Sequence, residues 1–107
     1  MNPIAVIYHL EPQHGCFNEY QRLWDTMLSF LQQRGAIGSV LHQAEDNTVV
    51  IYSRWPDLEC YQASWPKEED METELPAEMY RVSLNMKACI KEVLNTQILH
   101  IAQDKLL

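Results

Sequence analysis

The run Val49-Val50-Ile51-Tyr52 leads, by way of Ser53 and Arg54, into Trp55-Pro56-Asp57, and Tyr61 and Trp65 follow. β-Branched and aromatic residues fit a pleated, half-buried surface, so the run predicts a strand. Pro56 then stops it, because proline cannot donate to a sheet ladder yet suits the first turn of a helix. A large aromatic therefore stands where a strand hands over to a helix, with a tyrosine on the helix behind it. Such a junction is a natural pocket wall.

The remaining elements assemble around that junction. Ile4 to Leu10 predicts a first strand, closed by the turn residues Pro12-Gln13-His14-Gly15. Phe17, Tyr20, Trp24, Met27, Leu28 and Leu31 recur at spacings of three and four, the mark of an amphipathic helix; Glu19, Arg22, Asp25 and Gln32 take its other face. Gly35 ends it, where a left-handed residue is wanted. Ser39 to Glu45 and Thr48 to Arg54, joined by Asp46-Asn47, predict an antiparallel hairpin. Asp57 is a candidate N-cap for a short helix through Leu58 and Tyr61 to Trp65. Residues 66–75 form a charge run that reads as a solvated loop or helix face. Pro76 opens a second long helix, with Met79, Val82, Met86, Cys89, Ile90 and Val93 on one face and its end near Asn95. Ile98 to Ala102 closes the order as a fourth strand.

Strand, helix, strand, strand, helix, strand is the split βαβ, ferredoxin-like pattern, an α+β fold with a four-stranded antiparallel sheet. The expectation is one domain over 1–107 with an acidic insertion at about 66–75. Two helices cover one sheet face. In the third strand Val50 and Tyr52 point one way while Val49 and Ile51 point the other, so neither face reads as wet. A second copy of the sheet, in an isologous two-fold contact, supplies the missing cover and predicts a homodimer through the open sheet face.

Charge and composition exclude several classes. The net charge is −7 and the eight Lys and Arg residues are scattered, so no basic patch invites nucleic acid or an anionic membrane. The N-terminal stretch reads as a strand rather than a signal peptide, and no segment approaches the ~20 apolar residues of a membrane helix. Cys16, Cys60 and Cys89 are an odd, widely spaced set without a C-x-x-C pair. They predict reduced thiols in a cytoplasmic protein, not a disulfide framework or a zinc site. The carboxylates Glu68, Glu69, Asp70, Glu72 and Glu74 match no known cation loop, so no metal is expected.

The chain resembles the antibiotic-biosynthesis-monooxygenase-like domains of the dimeric α/β-barrel superfamily. The resemblance rests on the Gly-ended first helix, the hairpin from Ser39 to Trp55 and the spacing Trp55-x5-Tyr61. It implies a small oxygenase that converts a phenolic, apolar aromatic substrate to a quinone without flavin, haem or metal, hence no cofactor. The family's site positions correspond to Trp55, Tyr61 and, past the acidic insertion, Arg81. An asparagine expected four residues before the tryptophan is replaced by Ile51. Haem-degrading relatives carry a ligating histidine on the second helical region, whereas this chain has no histidine between His42 and His100.

In cofactor-free oxygenation the substrate supplies the electrons, and the protein need only manage a proton, stabilise an anion and exclude water. On that reading Arg81 stabilises a phenolate, Tyr61 donates a hydrogen bond and Trp55 stacks on the ring, with Trp24, Ile51, Trp65 and Met79 lining the pocket. Each residue also has a plainer role. Trp55 can simply seal the sheet against a helix, Tyr61 can bury its ring and wet its hydroxyl, and Arg81 can pair with Glu72, Glu74 or Glu78. His9 and His100 sit on strands expected to pair, where one imidazole would supply a base; a strand-end histidine with a single hydrogen bond is the commoner outcome. The alternative to an oxygenase is a non-catalytic dimeric module that binds a small molecule or serves structure alone.

Overall fold

β1 (Ile4–Pro12) is the inner strand that both halves of the chain pair against, in a computed structural model that describes residues 2–106. On one side it meets β3 (Val49–Trp55), on the other β4 (Ile90–His100), both antiparallel; β2 (Gly38–Gln43) adds to β3, giving the order β2-β3-β1-β4. This is the expected four-stranded, ferredoxin-like sheet. The alternation of β3 carries through, since Val49, Ile51, Ser53 and Trp55 are buried and the residues between them are half-buried. The register puts Ile4, Val6, Tyr8 and Leu10 on the same, helix-facing side as these four.

α1 (Phe17–Gln33) lays Tyr20, Leu23, Trp24, Met27 and Leu31 onto that face. Complete burial of side chains such as Ile4, Met27, Ile51 and Trp55 supplies the main stabilisation, about 1.5–3 kcal/mol for each large apolar group. Gly35 follows α1 with φ at 116°, as the sequence requires, and its bare Cα has a second reason: an added Cβ would lie 2.6 Å from the Cys60 sulfur. α2 (Leu58–Ser64) starts where expected. The Asp57 side chain accepts a hydrogen bond from the Cys60 backbone N–H at 2.7 Å, satisfying one of the orphan donors of the first turn.

The acidic stretch takes the helical one of its two expected forms: Glu68–Asp70 form a 3-10 turn that runs into α3 (Met71–Glu74). The extent of the second long helix needs correction. The second long helix, α4 (Ala77–Ala88), stops well before Asn95, and β4 begins at Ile90 rather than Ile98. Cys89 caps α4 through its backbone N–H on Asn85 and Met86, and its carbonyl accepts from the Gln13 N–H at 2.7 Å. That bond turns the chain straight onto the edge of β1, with Ile90 opposite Pro12. The apolar spacing that extended the helix on paper, Ile90 and Val93, belongs to a strand with two register shifts, and a shifted strand mimics helical periodicity.

β4 also stands apart in its exposure. Val93, Leu94, Ile98 and Leu99 are 42–55% exposed, because no helix lies over this edge. On the face away from the helices the register aligns Val40, Tyr52, Ile7 and Gln97 in one row and Gly38, Arg54, Ala5 and Leu99 in the next.

Candidate functional site

Where β4 runs out from under the helices, a hollow of about 870 Å³ opens. Pockets that hold drug-sized ligands are ordinarily ~300–1,000 Å³. Its floor is Tyr8 and Leu10 of β1 with Val93 and Thr96 of β4. Its walls are Tyr20 and Trp24 of α1, Tyr61 and Trp65 at α2, and Tyr80, Leu84 and Met86 of α4. The surface is mainly apolar, and six of these side chains are aromatic.

Two of the lining tyrosines meet through their hydroxyls. Tyr8 Oη and Tyr61 Oη lie 2.8 Å apart, hydrogen-bonded to each other. Tyr8 lies on the helix-facing side of β1, opposite Ile51, and α2, which starts after Asp57, carries Tyr61 to it. Burial, followed by the nearby Tyr61, holds the Tyr8 phenol well above the ordinary tyrosine range. Burial also raises Tyr61, against a smaller opposing effect of the bond from Tyr8. Both stay neutral at physiological pH. A pair of neutral hydroxyls has two protons and uses one between them, so one O–H is left to donate to a ligand oxygen.

The aromatic framework holds the pair in position. The Trp55 ring meets Tyr61 edge-on, with centroids 5.4 Å apart, and Tyr8 meets Trp24 in the same manner at 6.5 Å. The Trp24 indole N–H donates to Ser39 Oγ at 3.2 Å, tying α1 to β2.

The residues singled out from sequence separate here. Tyr61, Trp24 and Trp65 line the hollow. Trp55 is only 2% exposed and stands behind Tyr61, touching the hollow through that ring. Ile51 is fully buried in the core, and neither it nor Met79 reaches the lining. Arg81 is exposed and outside the lining, and among the described residues it forms no ion pair with Glu72, Glu74 or Glu78. His9 and His100 do not meet: His9 pairs with Asn95, while His100 lies opposite Ile4 at the far end of β1. His9 Nε2 instead shares a hydrogen bond with Thr48 Oγ1 at 3.0 Å. Sequence reasoning missed Tyr8. Its signal was present, a tyrosine at an inward position of the first strand, but its partner could be known only from the register.

The antibiotic biosynthesis monooxygenase family model matches residues 3–72. The chain belongs to that family. No functionally curated protein matches it in sequence. Among solved structures it is similar to an antibiotic-biosynthesis-monooxygenase-like protein from Chloroflexus aurantiacus, with a TM-score of 0.75 at 13% identity over 96% of each chain. It is similar also to SnoaB, a cofactor-independent oxygenase from Streptomyces nogalater (TM-score 0.74, 13% identity, 99% of this chain and 98% of that one). Rv0793 from Mycobacterium tuberculosis superimposes with a TM-score of 0.66 at 15% identity, over 98% and 99% of the two chains. At such identities the likeness is one of fold alone. No helix among the described residues is long and apolar enough to cross a membrane.

Proposed function

We propose that the protein is a cofactor-independent monooxygenase whose substrate, a small apolar aromatic of the phenol-to-quinone type, lies in the hollow between sheet and helices. The observation that carries this reading is the Tyr8–Tyr61 pair, two hydrogen-bonded hydroxyls on residues that line a mainly apolar cavity. An activated ring methylene loses a proton to solvent or to a carboxylate at the cavity mouth, leaving an enolate. The spare tyrosine proton donates to its oxygen, stabilising charge where it develops. The enolate passes one electron to O2, the radical and superoxide combine to a hydroperoxide, and loss of water leaves the new carbonyl. In sum, R2CH2 and O2 give R2CO and H2O. A substrate packed against Trp24, Trp65 and Leu84 would displace water from the hollow and so strengthen the electrostatic contribution. Trp55 acts by holding Tyr61. Arg81 would act only on a part of the substrate that extends beyond the cavity. The working unit is a cytoplasmic homodimer joined through the open sheet face.

A second reading, a dimeric binding module without catalysis, is favoured by Ile51. The resemblance puts an amide at that position, and here a hydrocarbon fills it inside the core. Oxygen consumption with an anthrone-type phenol separates the two. Native protein should exceed buffer, with Tyr8→Phe and Tyr61→Phe slower and Trp55→Phe and Arg81→Ala compared beside them. Binding of the phenol without oxygen uptake by native protein would leave only the binding module.

A further inference from the structure

The chain carries fifteen carboxylates against eight Lys and Arg, yet Lys67, Lys87 and Lys91, three of its four lysines, are in the lining of the hollow. Only Glu68 and Glu92 of the carboxylates join them. The contrast is sharpest in the acidic stretch. Pro66, Lys67, Glu68 and Met71 line the cavity, while Glu69, Asp70, Glu72 and Glu74 do not. Three separate elements deliver these lysines: the connection after α2, the last turn of α4 and the start of β4. A cation in the last turn of a helix is favoured by the helix dipole, which accounts for Lys87 without any ligand. No such reason applies to Lys67 or Lys91.

We infer that the hollow selects an aromatic ligand bearing an anionic group, its rings among Tyr20, Trp24 and Trp65 and its carboxylate or equivalent anion at the Lys67–Lys87–Lys91 rim. Present pairings do not compete strongly with such a ligand. Lys87 pairs with Glu68, and Lys91 lies 3.8 Å from Glu11, but both pairs are largely exposed, and exposed pairs contribute little. Lys67 has no ion-pair partner among the described residues. The two ends of the site would then read two features of one molecule, an oxygen at the tyrosine pair and a charge at the rim. In a chain of net charge −7 this rim also gives an anion a local route past a repulsive surface.

The inference rests on the hollow being the ligand site, and one experiment separates the two claims. Calorimetric titration of native protein compares 9-anthracenecarboxylate with 9-anthracenemethanol, of similar shape but uncharged, at low salt and at about 0.5 M salt. The carboxylate should bind about tenfold more tightly at low salt, and the gap should narrow at high salt. Lys67→Gln and Lys91→Gln should each weaken the carboxylate about two- to fivefold and leave the alcohol unchanged. Equal binding of the two compounds, or a preference that survives replacement of all three lysines, overturns selection by the lysine rim while leaving the hollow as the site. Binding of neither compound overturns both.

Discussion

Tyr8 and Tyr61, 53 positions apart in the chain, join β1 to α2 through a hydroxyl–hydroxyl bond of 2.8 Å. The bond closes the sheet against the helix beside the cavity. Its structural worth is measurable. Tyr8→Phe and Tyr61→Phe should each lower stability by about 0.5–1.5 kcal/mol, the net value of one such bond. The double variant should cost less than the sum, because the second change removes a hydroxyl that has already lost its partner. Urea unfolding of the four proteins checks this; strictly additive losses would mean that the two hydroxyls do not interact.

Alkali should loosen the fold through the same residues. Burial is the leading cause of raised pKa values at Tyr8, Tyr61 and Tyr20. A group whose pKa is higher in the folded than in the unfolded chain contributes stability that is complete below its unfolded pKa. The ordinary tyrosine value is 10.0. Above that pH the unfolded chain sheds phenolic protons that the native one retains, so stability falls as pH rises. The urea midpoint should therefore drop between about pH 9 and about pH 11, and less steeply in Tyr8→Phe. An unchanged midpoint over that interval would contradict the burial of these phenols.

How much of this was legible beforehand follows from how local each cause is. The Trp55-Pro56-Asp57 handover, the Asp57 cap and the Gly35 stop depend on residues adjacent in the chain, and all three stand in the structure. The α4–β4 boundary was misplaced because a bulged strand and a helix both bring apolar residues round at uneven spacings; only the Cys89–Gln13 bond decides between them. The site was legible in kind but not in membership. Trp55 and Ile51 announce an inward row, yet whether that row reaches a cavity depends on where the helices end. They cover β3 and leave β4 bare, so the cavity forms at Tyr8 and Tyr61 and bypasses Ile51.

Gly35→Ala tests the close approach between the end of α1 and α2. An alanine there faces both the positive φ and the Cys60 sulfur, whose thiol also lies 3.5 Å from the Arg34 carbonyl. The expected loss is about 1–3 kcal/mol. Adding Cys60→Ala should relieve the contact but not the backbone strain, so the double variant should recover only part of the loss, read as the shift in thermal midpoint. Full recovery would assign the whole effect to the sulfur, and no recovery would assign it to φ.

The open sheet face yields the last prediction. Val40, Tyr52 and Ile7 lie in one cross-strand row, flanked by Ala5 and Leu99, on the side the helices leave uncovered. Val40 is 53% exposed and Leu99 42% exposed in the protomer, an apolar band that a two-fold copy would bury against itself. Sedimentation velocity should find a dimer for native protein. Val40→Asp would place a carboxylate and its symmetry mate in that contact, each without a partner, and should weaken association about tenfold or more. The protomer fold should persist, because Val40 faces away from the core. A native monomer, or a Val40→Asp protein that dimerises as tightly as its parent, would show that this face is not where two copies meet.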